Sequence, residues 1–368
     1  MNTDVSLTRL ATGRDNNFNL LRIVAAASVL LTHSFALVAG TGDAEPLRMW
    51  LDVTLGTIAV DIFFVASGFL VTRSLLNRDD LTDFICARVL RIYPALILML
   101  VLTVLALGAA FTAAPISEYF ADHATHVYLA KCATLVFGVV YELPGVFTAN
   151  AYPTVVNGSL WTMPYEVRMY LALAALWFAL GFRKLDKSWA LTRFVVAYAA
   201  VSTLAQLASE VGILREHISL RLSCMFFQGS AFYVLRDRLK LSTRWFYAAL
   251  VLVVATALLA APLFRALYRL SIGFIVLYVA YVPRGWIRQY NRVGDYSYGL
   301  YIYAFPIQQM LVAADPTLTV FQLVVASGLL TLSVAAASWH LLEKPMLQKK
   351  GRYVEVFRRT LRIGVPRY

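Results

Sequence analysis

Residues 19–40 read NLLRIVAAASVLLTHSFALVAG. Apart from Asn19, Arg22 and His33, the stretch consists of apolar and small residues. As a helix it rises about 33 Å at about 1.5 Å per residue, enough to cross about 30 Å of hydrocarbon. No small-residue cleavage site follows, so it reads as a first membrane span and a poor signal peptide. Runs of comparable length recur at 54–76, 92–113, 161–182, 190–208, 220–235, 245–261, 265–282, 298–314 and 319–341. Together they predict an all-α polytopic membrane protein of about ten transmembrane helices. Composition agrees. The chain has 368 residues, 60% of them hydrophobic and 15% charged, against about 45–50% and about 25% in a soluble domain. Soluble domains, disorder and collagen-like or coiled-coil repeats are thereby excluded.

The charges set the orientation. With the N-terminus in the cytoplasm, segments 1–18, 77–91, 183–189, 236–244, 283–297 and 343–368 carry 23 Lys and Arg. The opposite side carries five: Arg48, Lys131, Arg215, Arg265 and Arg269. This asymmetry predicts both termini in the cytoplasm. It also explains the net charge of +12 without nucleic acid as a partner. Val127–Tyr141 is apolar but too short for a span, and it contains Lys131, so it reads as interfacial or re-entrant. Region 114–160 is then the longest outside stretch, longer than an ordinary connector. Cys86, Cys132 and Cys224 have no paired spacing, hence neither a disulfide framework nor a metal motif.

A charge in the bilayer core costs about 2.5–3.5 kcal/mol on the lenient insertion scale, yet several are retained. Arg22 and His33 are eleven residues apart. That is about 16–17 Å and three turns plus about 20°, so both side chains share one stripe of the helix. Arg22 lies near the cytoplasmic end and His33 in the outer half. Asp61 lies at a similar depth on the second helix, where a carboxylate would orient an imidazole and raise its basicity. Glu166 sits one turn into the fourth helix, near the outer surface. In RVLRIYP, Arg88 and Arg91 lie three apart. With Arg22 and Arg73 they form a candidate basic cluster at the cytoplasmic mouth, where the planar guanidinium fork suits phosphate. Positive-inside anchoring would account for the same arginines. Asp79-Asp80 reads as a solvated acidic pair.

A phosphate-binding end about 17 Å from a buried imidazole fits a long activated donor such as acyl-CoA, its pantetheine arm ending in a thioester. The imidazole would deprotonate an acceptor hydroxyl. A proton-coupled transporter or flippase of lipid-linked sugar or acyl groups would also use buried His, Asp and Arg, although no repeat joins the two halves of the chain. Across 114–166, aromatic residues alternate with amides and carboxylates. Tyr152, Trp161 and Tyr165, with Asn157 and Glu166 among them, suit a sugar ring and its hydroxyls. An interfacial aromatic belt is the plainer reading.

Six blocks in order then resemble the membrane-bound acyltransferase family 3, the integral-membrane O-acyltransferases of bacterial surface polysaccharides. They are Arg22-x10-His33, VDIFFVASGFL at 60–70, RVLRIYP at 88–94, SLWTMPYEVRMY at 159–170, YSYGLYIYAFP at 296–306 and EKP at 343–345. Thr162 and Met163 are variants within the fourth block, and the match spans roughly 18–346. The resemblance implies a multi-pass enzyme of the bacterial inner membrane that moves an acyl group, usually acetyl, from cytoplasmic acyl-CoA to a carbohydrate hydroxyl. No cofactor is bound, and acyl-CoA is the donor substrate. It implies His33 as the catalytic imidazole, Arg22 on the donor side, Glu166 as a further essential polar residue, and Arg88 and Arg91 as important basic ones. Ala304 stands where many members carry a histidine, so no second imidazole is expected there. No esterase-like domain is expected after Pro345.

The expected organisation is therefore a membrane acyltransferase domain over 1–345, with its outside region at 114–160, and a basic cytoplasmic tail at 346–368 facing membrane lipid. Ser67-Gly68 reads as a point of close helix packing. The acceptor's identity, the acyl chain and the oligomeric state are not written in the sequence.

Overall fold

The computed structural model describes residues 5–13, 15–181, 186–259 and 261–363. Arg14, part of the basic segment at 183–189, and the end of the basic tail lie outside the described residues. Among the described residues each of the ten predicted runs is largely helical; Phe182 and Ala260 lie outside them. The helices are α1 Phe18–Ala39, α2 Leu55–Arg78, α3 Leu81–Phe111, α4 His123–Thr134, α5 Met163–Gly181 and α6 Lys187–Glu210. They continue as α7 Ile218–Val234, α8 Thr243–Leu259, α9 Ala261–Tyr281, α10 Ser297–Ala314, α11 Val320–Gln348 and α12 Lys350–Ile363. Among the described residues six helices are long and apolar enough to cross a membrane: α1, α2, α3, α6, α9 and α11. The protein is an all-α membrane protein. Its extended backbone includes the short antiparallel pair β1 Val5–Ser6 and β2 Lys240–Leu241.

Two predicted boundaries shift. Segment 77–91 is expected as an inside loop, but helix resumes at Leu81 because the Asp80 carboxylate caps α3, accepting from the amides of Thr82 and Asp83. Arg88 and Arg91 are therefore helical residues. Arg265 and Arg269, counted with the outside charges at the edge of the 265–282 run, lie well within α9, which begins earlier, at Ala261. The apolar run at Val127–Tyr141 resolves as α4, which ends where Leu135 turns left-handed at φ 59°. Its 12 residues rise about 18 Å, too short to span.

The chain divides into two compact units. The first contains Met1–Ala36, Thr41–Arg73 and Ala179–Ser297. Its core includes Phe18, Phe69, Tyr233 and Tyr281, whose rings meet at 5.3–5.9 Å. α2 and α7 cross at Gly68 and Gly229, as the Ser-Gly block suggests. A Cβ on Gly68 would lie 1.8 Å from the Phe226 carbonyl oxygen, and one on Gly229 2.0 Å from that of Val65. Asn17 enters α1 by donating to the carbonyls of Val279 and Pro283.

The second unit contains Leu37–Gly40, Ser74–Phe178 and Tyr298–Tyr368. Region 114–160 folds against α10 rather than forming a free loop. The Gln309 amide donates to the carbonyls of Tyr152 and Val155, and Asn150 donates back to Gln309. Tyr119 is fully buried and donates to the Val104 carbonyl. The π-helical stretch Thr103–Gly108 of α3 opens at that contact.

Candidate active site

α1 places Arg22 four residues and His33 fifteen residues after Phe18, about 6 Å and about 22 Å along the axis. Arg22 pairs with Asp295 at 3.3 Å, and Asp295 is itself held by the Ser297 hydroxyl at 2.5 Å. His33 is half-buried near the other end of α1. The adjacent Thr32 takes part in a clamp between helices. Its hydroxyl accepts from the Gly56 amide at 2.8 Å and reaches the Glu45 carboxylate at 3.4 Å. The same carboxylate oxygen accepts from the Leu55 amide at 2.8 Å. Glu45 thus joins the outgoing turn of α1 to the first turn of α2, whose amides have no partners within their own helix. Only 1% of Glu45 is exposed, and burial pushes its carboxyl above the usual range. That upward push outweighs the Leu55 and Thr32 hydrogen bonds and the charge of Arg48.

Asp61 is fully buried six residues into α2. Its hydrogen bond comes from the Tyr268 hydroxyl at 3.1 Å, and its ion pair is with Arg221 at 3.6 Å. The expected pairing with His33 is not the contact the carboxylate makes, because its side chain faces α7 and α9. Beside it, Arg269 binds both Glu210 and Glu216, and Arg265 binds Glu210 and Asp52. This ionic cluster draws residues from α2, α6, α7 and α9 into one place.

The proposed donor-side arginines divide between the units. Arg73, in the first, donates to the carbonyls of Gly13 at 2.9 Å and Thr12 at 3.4 Å, which pins the N-terminal segment. In the second unit Arg91 pairs with Glu343 of the EKP block at 3.7 Å and lies over the rings of Tyr298 and Trp339. Arg88 lies over the Tyr170 ring at 5.8 Å, and its Nε is buried without a hydrogen-bond acceptor among the described residues. All four already serve protein partners, Arg88 through the Tyr170 side chain.

Glu166 is also in the second unit. It is half-buried in the first turn of α5 and accepts from the Tyr170 hydroxyl one turn on. Trp161 and Tyr165 meet edge to face at 6.3 Å, both partly exposed. Asn157 is buried and committed. It donates to the Ile302 carbonyl at 2.9 Å and accepts from the Ser159 amide at 3.1 Å, capping a short helical turn. Tyr152 contributes its carbonyl to Gln309. Among the described residues no three His, Cys, Asp or Glu side chains are placed to hold a metal ion.

A family model described as an acyltransferase domain matches residues 15–340. The chain belongs to acyltransferase family 3. Two curated relatives agree in extent. An "O-acetyl transferase" of Shigella phage Sf6 is 27% identical, covering 92% of this chain and 98% of its own. "Nodulation protein 10" of Rhizobium leguminosarum bv. viciae is also 27% identical, covering 94% and 96%. No solved structure matches.

Sequence reasoning about this acyltransferase missed Glu45, Tyr170 and the Arg269–Glu210 pair. Glu45 lies in a polar connector, where a carboxylate draws no notice. Tyr170 is one of 20 tyrosines. The one available signal was the spacing of Arg265 and Arg269, which at i, i+4 share a helix face.

Proposed function

We propose that this acyltransferase moves an acyl group, acetyl in the simplest case, from cytoplasmic acyl-CoA to a carbohydrate hydroxyl presented from the far side of a bacterial inner membrane. The proposal includes ten membrane crossings with both termini in the cytoplasm, the arrangement the 23-to-five basic asymmetry favours. One observation carries it. A chain matched over 15–340 by an acyltransferase domain keeps an arginine and a histidine on one stripe of α1, separated by about the reach of a pantetheine arm.

His33 acts as general base. It takes the proton of the acceptor hydroxyl as that oxygen attacks the thioester carbonyl. The tetrahedral adduct collapses with loss of the coenzyme A thiolate, which takes the proton back from the imidazolium. Products are the ester and free coenzyme A. Arg22, on the helix that carries His33, holds donor phosphate by exchanging Asp295 for it, and Arg88 remains a donor-side candidate on the strength of its sequence block. Arg73 and Arg91 support that end through their protein partners. Glu166, held by Tyr170, is the second polar group of the reaction, and Asp61 sets the α2 frame beside α1. Trp161 and Tyr165 offer aromatic faces to the sugar ring, while Tyr152 and Asn157 shape the backbone around them. The carrier reading finds no support in the family match.

The test is proteoliposomes given radiolabelled acetyl-CoA outside and a bacterial glycan inside, in both protein orientations. Label appearing on the glycan with wild-type protein and absent with His33→Ala supports the proposal. Transport of intact glycan without label transfer would replace it with the carrier reading.

A further inference from the structure

α12 is exposed along most of its described length. From Gly351 to Thr360 only Val354 is buried. A helix of 14 residues is marginal alone in water, so its attachments define what it does. One row faces the protein. Lys350 pairs with Asp83 at 2.6 Å, Val354 packs inward, and Arg358 pairs with Asp80. These positions are spaced i, i+4, i+8, a single helix face. Both acidic partners lie at the first turn of α3, where a membrane-crossing helix begins. At its other end α12 starts two residues after Gln348, the last residue of α11, which is also long and apolar enough to cross. α12 thus packs against the ends of two helices that are each long and apolar enough to cross a membrane.

About 100° round the helix lies a second row. Tyr353, Val356 and Phe357 are 37%, 55% and 42% exposed. At i, i+3, i+4 they form a continuous apolar stripe. Arg352 and Arg359 flank it, seven residues or about two turns apart, both exposed and in no ion pair among the described residues. An apolar stripe beside unpaired arginines, next to the ends of two such helices, is the pattern of a helix lying in a membrane interface.

We infer that α12 is an interfacial helix that binds anionic phospholipid, with Tyr353, Val356 and Phe357 in the headgroup–acyl boundary and Arg352 and Arg359 on lipid phosphates. Charge selects the partner: on α12 Arg352 and Arg359 share one acidic neighbour, Glu355, three and four residues away, so an anionic surface adds counter-charge that a zwitterionic one lacks. Each basic residue near an anionic surface is worth about 1 kcal/mol, or about fivefold in lipid preference.

The experiment uses the full chain in nanodiscs of phosphatidylcholine with or without phosphatidylglycerol. A spin label is placed at Val356→Cys, with Glu355→Cys as the solvent-facing control, in a background lacking Cys86. The label at 356 is expected to be accessible to oxygen and shielded from an aqueous nickel chelate when phosphatidylglycerol is present. In competition read by native mass spectrometry, Arg352→Ala/Arg359→Ala is expected to lose the preference for phosphatidylglycerol by about 25-fold, the product of two fivefold effects. A label at 356 as open to the chelate as one at 355 in both lipids would overturn the inference and leave the stripe to a protein partner. An unchanged lipid preference in the double variant would overturn the assignment of the arginines. Neither result depends on acyl transfer.

Discussion

Gly68→Ala is expected to damage the first unit more than any other single-methyl addition at the α2–α7 crossing. The new Cβ would lie 1.8 Å from the Phe226 carbonyl oxygen and 2.7 Å from its carbon. A carbon–oxygen contact needs about 3.3 Å, so the helices must part locally by about 1.5 Å. Nothing flexible can yield, because the opposing atoms are backbone. Overpacking costs about 1–3 kcal/mol, and this site belongs at the top of that range. The Ser230 hydroxyl, which reaches the Gly68 carbonyl at 3.2 Å, would lose that contact at about 1 kcal/mol. The sum is about 4 kcal/mol, a fall in Tm on the order of 10 °C. The assay is thermal unfolding of purified protein in detergent. Gly229→Ala, facing the Val65 oxygen at 2.0 Å, should cost a similar amount. The double variant should cost much less than the sum, since one separation accommodates both methyls. A Gly68→Ala protein melting within a degree of wild type, or fully additive variants, would refute the reasoning.

His33→Ala should reduce acyl transfer by about 10²–10⁴-fold while leaving Tm unchanged; wild-type turnover would make His33 a packing residue. Arg91→Ala removes the ion pair of the buried Glu343 carboxylate, which keeps its bond from the Ser338 hydroxyl, and should destabilise by about 3 kcal/mol. Adding Glu343→Gln should restore much of that, as thermal melts of the two variants would show. Tyr170→Phe removes the donor to Glu166 and should slow turnover about tenfold, from a hydrogen bond to a charged group worth about 1.5 kcal/mol. The donor KM should not change, and a rise in KM would move Tyr170 to the binding machinery. Glu45 has a folded pKa above its unfolded value, so the folded state binds more protons between the two. Stability should therefore fall as pH rises from the ordinary glutamate range through the raised value. Glu45→Gln should flatten that slope in pH-resolved melts while keeping an oxygen for Leu55 and Thr32.

The arginine–histidine spacing was legible because α1 is self-contained. Two residues eleven apart on one helix have their separation and angle set by helix geometry alone. The family blocks were legible for the same reason, each being short and local. Side-chain partners across helices were not legible. Asp61 and His33 have matching depths on consecutive helices, yet depth does not fix which way a side chain turns, and Asp61 turns to Arg221 and Tyr268. The contacts of Arg73 with Gly13, of Arg91 with Glu343 and of Asn157 with Ile302 likewise join residues far apart in the chain.

By itself the sequence determined that this chain is an all-α membrane protein, where its long helices run, and that it carries an arginine–histidine stripe on the first of them. Those properties follow from bilayer thickness, from the need to satisfy every backbone group within the hydrocarbon, and from the fixed rise of a helix. Only the tertiary structure decided which buried charges meet. Glu45 bridges 10 residues to Leu55, but Asp61 reaches across 207 to Tyr268 and Arg22 across 273 to Asp295. Pairings at that range depend on how whole helices rotate and cross, and a crossing such as Gly68 on Phe226 is set by backbone shape that no local pattern encodes.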